Sequence, residues 1–213
     1  VVVEESEIEE GYVKIIVTRG SDDHNFTIPA RSALQPNVLV YGKPIDLNAI
    51  EKVQSGVNCI TLDDDRGHHC DILSLNQLNN MMARAEAQKK NCYDAVFIKD
   101  GLLTEASHSN VCIVKAGVIW TPATNEHMIR GVTRSLVLTR AAPSAGVTSI
   151  DEASEPVRFE DMMTAEEVFL TNSQDGIIPV LSIDGNPIGG GKVGDVTKKI
   201  QEHYAHLMED GLP

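Results

Sequence analysis

The stretch Asp94-Ala95-Val96-Phe97-Ile98-Lys99-Asp100-Gly101, with Val111-Cys112-Ile113-Val114, Ala116-Gly117 and Val118-Ile119-Trp120 after it, sets the fold class. Runs of β-branched and aromatic residues read as strands, and the Asp-Gly and Ala-Gly pairs between them read as tight hairpin turns. Working outward, Val57 to Leu62 reads as a further strand. Ser74 to Lys90 has Leu75, Leu78, Met82 and Ala85 at the three-and-four spacing of one buried helical face. Downstream, a helix is expected just after Gly131, carrying Leu136, Val137 and Ala141. Strands follow at Glu167 to Thr171 and at Ile177 to Ile183, the second closed by Asp184-Gly185. A last helix runs from about Asp195 to Met208 with Val196, Ile200, Tyr204 and Leu207 inward. The pattern is mixed α/β (α+β) with many antiparallel hairpins, not a regular βαβ array.

Toward the N-terminus, Gly11-Tyr12-Val13-Lys14-Ile15-Ile16-Val17-Thr18 and Leu39-Val40-Tyr41 read as strands, and the turn residues of Tyr41-Gly42-Lys43-Pro44-Ile45-Asp46 place a boundary there. The expected division is 1–45 and 46–213. Two strands cannot close a core of their own, so the opening segment reads as part of a domain whose earlier portion is not in this chain.

Among 213 residues, 18 are basic and 31 acidic, a formal charge of −13. A field of that sign repels phosphate backbones and anionic lipid, which argues against nucleic-acid and membrane partners. No stretch approaches the ~18 uninterrupted apolar residues of a membrane span, and Val1-Val2-Val3 followed by Glu4, Glu5, Glu7, Glu9 and Glu10 lacks the basic start of a signal peptide. Cys59, Cys70, Cys92 and Cys112 form no CxxC pair and read as buried free thiols in a reducing compartment, so a cytoplasmic protein is expected. There is no internal repeat, GxSxG elbow, Walker A loop or HExxH pair.

Four positions can carry chemistry. Gly131-Val132-Thr133-Arg134 opens a helix, and unpaired N–H groups with a positive dipole end suit a phosphate; it also reads as a plain helix start capped by Thr133. Thr171-Asn172-Ser173-Gln174-Asp175-Gly176 can add hydroxyl and backbone donors to the same anion, or serve as an ordinary polar turn. Glu105, in Thr104-Glu105-Ala106-Ser107-His108-Ser109-Asn110, can hold a ring nitrogen protonated, or be a solvated loop acid. His68-His69-Cys70-Asp71 invites a metal. In an extended segment, however, neighbours point to opposite faces, so no metal site is expected.

Read together, these segments resemble the fold type IV, class IV pyridoxal-phosphate-dependent aminotransferases, and most of all the D-amino acid aminotransferases. The resemblance is carried by Gly11-Tyr12 through Val17-Thr18-Arg19-Gly20, Arg66 with Cys70-Asp71-Ile72 and Ser74-Leu75-Asn76, and Asp100-Gly101 through Asn110. It continues through Gly131-Val132-Thr133-Arg134, Glu167 to Thr171 with Ile178-Pro179-Val180, and Ile183-Asp184-Gly185 leading to Gly191-Lys192. It implies an incomplete N-terminal α/β domain followed by a cofactor-binding pseudo-barrel with hairpins and flanking helices. It also implies a homodimer, pyridoxal 5′-phosphate as cofactor, and an amino acid and a 2-oxo acid as substrates. By the same resemblance Glu105 pairs with the pyridine nitrogen. Arg66, Gly131, Val132, Thr133, Ser173 and Gln174 belong to the cofactor site.

Two positions depart from the pattern. Leu73 stands where the family has its imine-forming lysine, and leucine has no amine with which to bond an aldehyde or move a proton. Asp22-Asp23-His24 replaces an Arg-x-His element that grips the substrate carboxylate, so His24 survives as a substrate residue while an acid, which repels a carboxylate, takes the arginine's place and opens the site to a related amine. Weak or no turnover is expected. The alternatives are a catalytically impaired protein that binds the cofactor or a metabolite, and an aminodeoxychorismate lyase-like enzyme.

Overall fold

The computed structural model describes residues 2–5, 8–21, 35–150 and 156–209. The chain divides into two compact units, Val1–Leu47 and Asn48–Pro213.

In the first unit, a short helix α1 (Val2–Glu5) precedes an antiparallel pair, β1 (Gly11–Thr18) and β2 (Asn37–Pro44), in unbroken register from Gly11 opposite Pro44 to Thr18 opposite Asn37. Tyr41-Gly42-Lys43-Pro44, read above as a turn, completes the second strand. Eight consecutive partners on β1 outweigh the local breaking tendency of Gly42 and Pro44 at the strand's end.

Helix α2 (Leu47–Gln54) starts at the division, and the second unit continues with β3 (Val57–Asp63), α3 (Leu78–Lys89), β4 (Asp94–Lys99), β5 (Leu102–Ala106), β6 (Asn110–Lys115) and β7 (Val118–Trp120). A helix follows as α4 (Val132–Leu136), a π-helical turn (Val137–Ala141) and α5 (Ala142–Ser144), then β8 (Thr148–Ile150), α6 (Phe159–Met163), β9 (Glu167–Asn172), β10 (Gly176–Ile183), β11 (Asn186–Pro187) and α7 (Asp195–Glu209). The strands form one mixed sheet in the order β5-β4-β3-β10-β9-β6-β7-β8, with β11 on β10. Because β5 passes directly into β6 and Ala106 N–H bonds Ser109 C=O at 2.7 Å, the sheet curls and its first strand meets its sixth. The expected pseudo-barrel is present.

Alternation along the strands sorts the core. Cys59, Val96, Val111, Ile113, Val168, Leu170, Ile178 and Val180 fill the inside of the curl. Cys112, Val114, Phe169 and Ile177 face outward under Val137, Leu138, Ala141 and Ile200 of the flanking helices. The hairpins turn where they were read: Asp100-Gly101, Ala116-Gly117 and Asp184-Gly185 all take positive φ at both residues, the geometry that matches strand twist.

The helix expected over Ser74 to Lys90 begins four residues later, and its buried face differs from the one expected. Ala83 and Ala87 pack on Ile60, Ala95 and Phe97, whereas Leu75, Leu78 and Met82 are exposed. Small residues one helical turn apart let the helix lie close to β3 and β4; the larger apolar stripe is left facing outward. Val137 and Ala141 are buried as expected. The π turn sits just before Pro143, which has no N–H to donate to the preceding turn. Cys59 and Cys112 are buried, but Cys70 and Cys92 are half-exposed, because each lies in a connection rather than a strand.

Candidate active site

Glu105 owes its position to a bulge. Val96 pairs with Ala106, while Ile98 pairs with Leu103 and Lys99 with Leu102, so β5 places both Thr104 and Glu105 opposite the single residue Phe97. The extra residue turns Thr104 and Glu105 out of the inward alternation of Leu103. Both meet Arg66, whose guanidinium stacks 4.3 Å from the Phe97 ring centre. The reading of Glu105 as a solvated loop acid therefore fails: it is 5% exposed and lies in a strand.

Arg66 holds two carboxylates at once. Its Nε and Nη2 donate to Asp64 Oδ1 and Oδ2 at 2.9 and 2.8 Å, and its Nη1 donates to Glu105 Oε1 at 2.5 Å. Nη2 also donates to the His127 carbonyl at 2.9 Å. On its other side, Glu105 Oε2 accepts from Ile129 N–H at 3.0 Å and from Asn110 Nδ2 at 3.4 Å. The connection between β7 and α4 is thereby fastened over the carboxylate at two points. Burial lifts the Glu105 carboxyl to about 7, and the hydrogen bond and charge of Arg66 only partly offset that. Burial acts in the same sense on Asp64, but hydrogen bonds from Arg66 and Thr104 outweigh it and hold its carboxyl below the usual range.

A cavity of about 390 Å³ opens beside this pair, lined by Arg66, Glu105 and Ile129 and by the segment between His68 and Asn80. Ile72 and Ser74 line it. Leu73, between them, is not among its lining residues and is 75% exposed. Lysine is absent from the lining, while Cys70 is part of it.

The second cluster starts at Gly131, the residue before α4. A Cβ there would stand 2.0 Å from Asn110 Oδ1, so glycine is what lets Asn110 reach both the Ile129 carbonyl, at 2.8 Å, and Glu105. The N-cap of α4 is Gly131, with no side-chain cap, so Thr133 does not cap the helix; it is buried within the first turn. Val132 is exposed. Arg134, fully buried, donates from Nε to Thr121 Oγ1 at 3.1 Å and from Nη2 to the Pro122 carbonyl at 3.1 Å, which ties the helix start to the end of β7. Helix α4 packs on β9.

On β9, Thr171 stands opposite Asn110, and its Oγ1 is the one buried side-chain polar atom without a hydrogen-bond partner among the described residues. Ser173 and Gln174 are exposed in the next turn. Asn172 Oδ1 accepts from the N–H groups of Gln174 and Asp175 at 2.9 and 2.7 Å, and its Nδ2 donates to Ser109 Oγ at 3.1 Å. Tyr93 donates its hydroxyl to Asp175 at 2.5 Å. Ser107 and Ser109 donate in turn to the buried Asp94.

The structure thus brings Arg66 and Glu105 into contact and joins Gly131 to them through Asn110. Val132, Thr133, Ser173 and Gln174 are not among the residues that line the cavity. Arg66 is engaged by two carboxylates and is not a free cation for an anion. His24 lies outside the described residues. The segment at His68–Asp71 bends, with His69 at φ 67°, yet no group of three His, Cys, Asp or Glu side chains among the described residues is placed to hold a metal ion. Sequence reasoning missed Asp64, Asn110 and Thr171 as site residues. Asp64 sits inside Asp63-Asp64-Asp65, which reads as a solvated acidic run, and only the Asn110-Thr171 strand pairing assembles the other two.

These residues suit a phosphorylated pyridine. The orphaned Thr171 hydroxyl is a donor of the kind a phosphate accepts from, and a buried carboxylate with a net negative surplus around one guanidinium suits a cationic ring. A curled mixed sheet with this pairing is the architecture of a fold type IV pyridoxal-phosphate enzyme. The comparisons name the family. Residues 2–183 match the model of amino-transferase class IV. The D-alanine aminotransferase of Staphylococcus aureus (strain N315) is 32% identical over 207 residues, covering 97% of this chain and 71% of that protein. The Bacillus licheniformis D-alanine aminotransferase is 38% identical over 192 residues, 90% of this chain and 65% of that protein. The branched-chain amino acid aminotransferase of Escherichia coli superposes with a TM-score of 0.83 at 23% identity, over 97% of this chain and 68% of that one. The chain belongs to the class IV aminotransferases, enzymes that depend on pyridoxal phosphate.

Proposed function

We propose that the chain transfers an amino group between a D-amino acid, or a related amine, and a 2-oxo acid, with 46–213 as its cofactor-binding domain and 1–45 belonging to the small N-terminal domain. The observation that carries this reading is Glu105, buried by a strand bulge at the edge of a cavity with its two oxygens held by Arg66 and Ile129. Bound pyridoxal phosphate supplies a pyridinium ring that draws electrons from the substrate carbon. Glu105 keeps the ring nitrogen protonated by a charge-assisted hydrogen bond. The N–H groups of Val132 and Thr133, the Thr133 hydroxyl, Ser173 and Gln174 hold the phosphate, with Thr171 as a further donor. Asn110 fixes Glu105 and the start of α4 relative to each other. Identity to the two D-alanine aminotransferases supports D-alanine as the first substrate to try and favours transamination over the lyase alternative.

Leu73 is the departure that sets the rate. It has no amine, and no lysine lines the cavity, so the chain binds the cofactor without a covalent link and turns over weakly. The reading of a catalytically impaired, cofactor-binding protein rests on this same position. Helix α3 presents Leu78, Met81 and Met82 to solvent, with Leu73 and Leu75 before it, and this apolar face supports a homodimer in which a second copy covers it. No described helix is long and apolar enough to cross a membrane, and we place the enzyme in the cytoplasm.

The test is equilibrium binding of pyridoxal phosphate followed by a keto-acid assay with D-alanine and 2-oxoglutarate, on the chain as it stands and on Leu73→Lys. The expected result is noncovalent binding by the first and pyruvate formation by the second. Failure of the Leu73→Lys chain to form pyruvate with cofactor bound overturns the transaminase reading.

A further inference from the structure

Between Asp64, Arg66 and Glu105, two carboxylates share a single guanidinium where all three side chains are at most 7% exposed. The sharing is unequal. Asp64 takes the two-pronged side of Arg66 through Nε and Nη2, accepts the Arg66 backbone N–H at 3.1 Å, and accepts the Thr104 hydroxyl at 2.7 Å. Glu105 receives one N–H of the guanidinium, on Nη1. Stacking on Phe97 and the bond from Nη2 to the His127 carbonyl leave the guanidinium little freedom to turn toward either acid. With all three ionised, the cluster carries one surplus negative charge. A carboxylate with four donors keeps its charge, so the surplus falls on Glu105.

We propose that Asp64 is a positioning residue for the cofactor ring: by holding Arg66 in a fork and taking the larger share of its charge, it leaves Glu105 basic enough to bind a cationic ring nitrogen. This rests on the reading of Glu105 as the ring partner. An arginine paired to Glu105 alone would neutralise it and compete with the ring. Asp64 turns the same arginine into a fixed donor. The titratable residues around Glu105 are Arg66 and Asp64 in its own cluster, His68, His69 and Cys70 along the same cavity, and His127 on the connection that carries Ile129.

The experiment has two parts. Carboxyl NMR of the cofactor-free chain, with the Glu105 signal assigned by its loss in Glu105→Gln, gives the protonation midpoint of Glu105. Asp64→Asn lowers that midpoint by about one pH unit, because the whole charge of Arg66 then falls on Glu105. Thr104→Val, which takes one donor from Asp64, raises it and reports on the same coupling if Asp64→Asn does not fold. The second part follows binding of pyridoxamine 5′-phosphate, an amine that needs no lysine, by its absorbance. Asp64→Asn weakens binding about tenfold and shifts the pH midpoint of the ring band downward, whereas a merely structural role would leave that midpoint unmoved. An unchanged Glu105 midpoint in both variants overturns the proposal even where pyridoxamine phosphate binds. Absence of binding to the unsubstituted chain, with the Glu105 shift intact, overturns instead the cofactor reading on which the proposal stands.

Discussion

A carboxyl such as Glu105 is an unusual thing to bury, and its burial has a pH signature. In the folded chain it holds its proton up to about pH 7, whereas its ordinary value is 4.5. The folded state therefore takes up a proton between these values. The stability this adds is complete below pH 4.5 and is lost as pH rises through 7. Replacement by glutamine, which has the shape of the protonated acid, removes this dependence. Thermal unfolding of the cofactor-free chain at pH 5, 6, 7 and 8 should lose up to about 3 kcal/mol across that range, and Glu105→Gln should not lose it. Parallel curves for the two proteins would refute the assignment. Asp64 acts with the opposite sign, since its lowered value adds stability at neutral pH that disappears as the solution is acidified below the carboxylate range. Glu105 was legible as a candidate from its place after a DG turn; its partner Asp64 was not, because the acid that matters in Asp63-Asp64-Asp65 is selected by the direction of the chain after β3.

At the scale of elements, two helix starts control the unit. Gly131 admits Asn110 under the first turn of α4, and an added methyl would meet Asn110 Oδ1 at 2.0 Å. Gly131→Ala should therefore cost about 1–3 kcal/mol in denaturant unfolding and weaken pyridoxal phosphate binding together with it; loss of stability with unchanged binding would detach Gly131 from the site. The start of α7 is capped from outside: Glu167 accepts from Val196 and Thr197 N–H at 3.0 and 2.8 Å and from the Thr197 hydroxyl at 2.6 Å. Glu167→Ala should lower the urea midpoint by an amount equivalent to about 1–2 kcal/mol at unchanged slope and leave cofactor affinity as it was, since this cap supports the back of the sheet. The helix at Asp195 was readable from the spacing of Val196, Ile200, Tyr204 and Leu207, and the one after Gly131 from that glycine with Leu136, Val137 and Ala141 following it. The cap on α7 was not, because its carboxylate comes from a strand 29 residues earlier.

For the whole molecule, the misjudged face of α3 is the informative one. Leu75, Leu78 and Met82 form a regular apolar stripe, and regular stripes are normally covered. Within this chain Ala83 and Ala87 make the contact with the sheet, and the stripe faces out with Met81 and Leu73 beside it. Leu78→Glu with Met82→Glu should convert a dimer to a monomer in sedimentation equilibrium without loss of helix content. Identical masses for the substituted and unsubstituted proteins, both monomeric, would remove the support for a homodimer. A formal charge of −13 makes long-range repulsion between copies substantial, so the proposed dimer should tighten with added salt.

Amino-acid order alone determined the long strands, the hairpin turns and the helices at Gly131 and Asp195, because those follow from side-chain period and from backbone angles that a few residues set locally; it did not mark β5, β8 or β11 as strands. It also marked Glu105 and the Gly131 turn as places where chemistry can happen. Tertiary structure decided which side of α3 is buried, which acid accompanies Arg66, and which hydroxyl is left without a partner, because each depends on a bulge or a strand pairing between residues far apart in the chain. Charge sharing among buried groups is a property of three side chains in contact, and contact of that kind has no local signature.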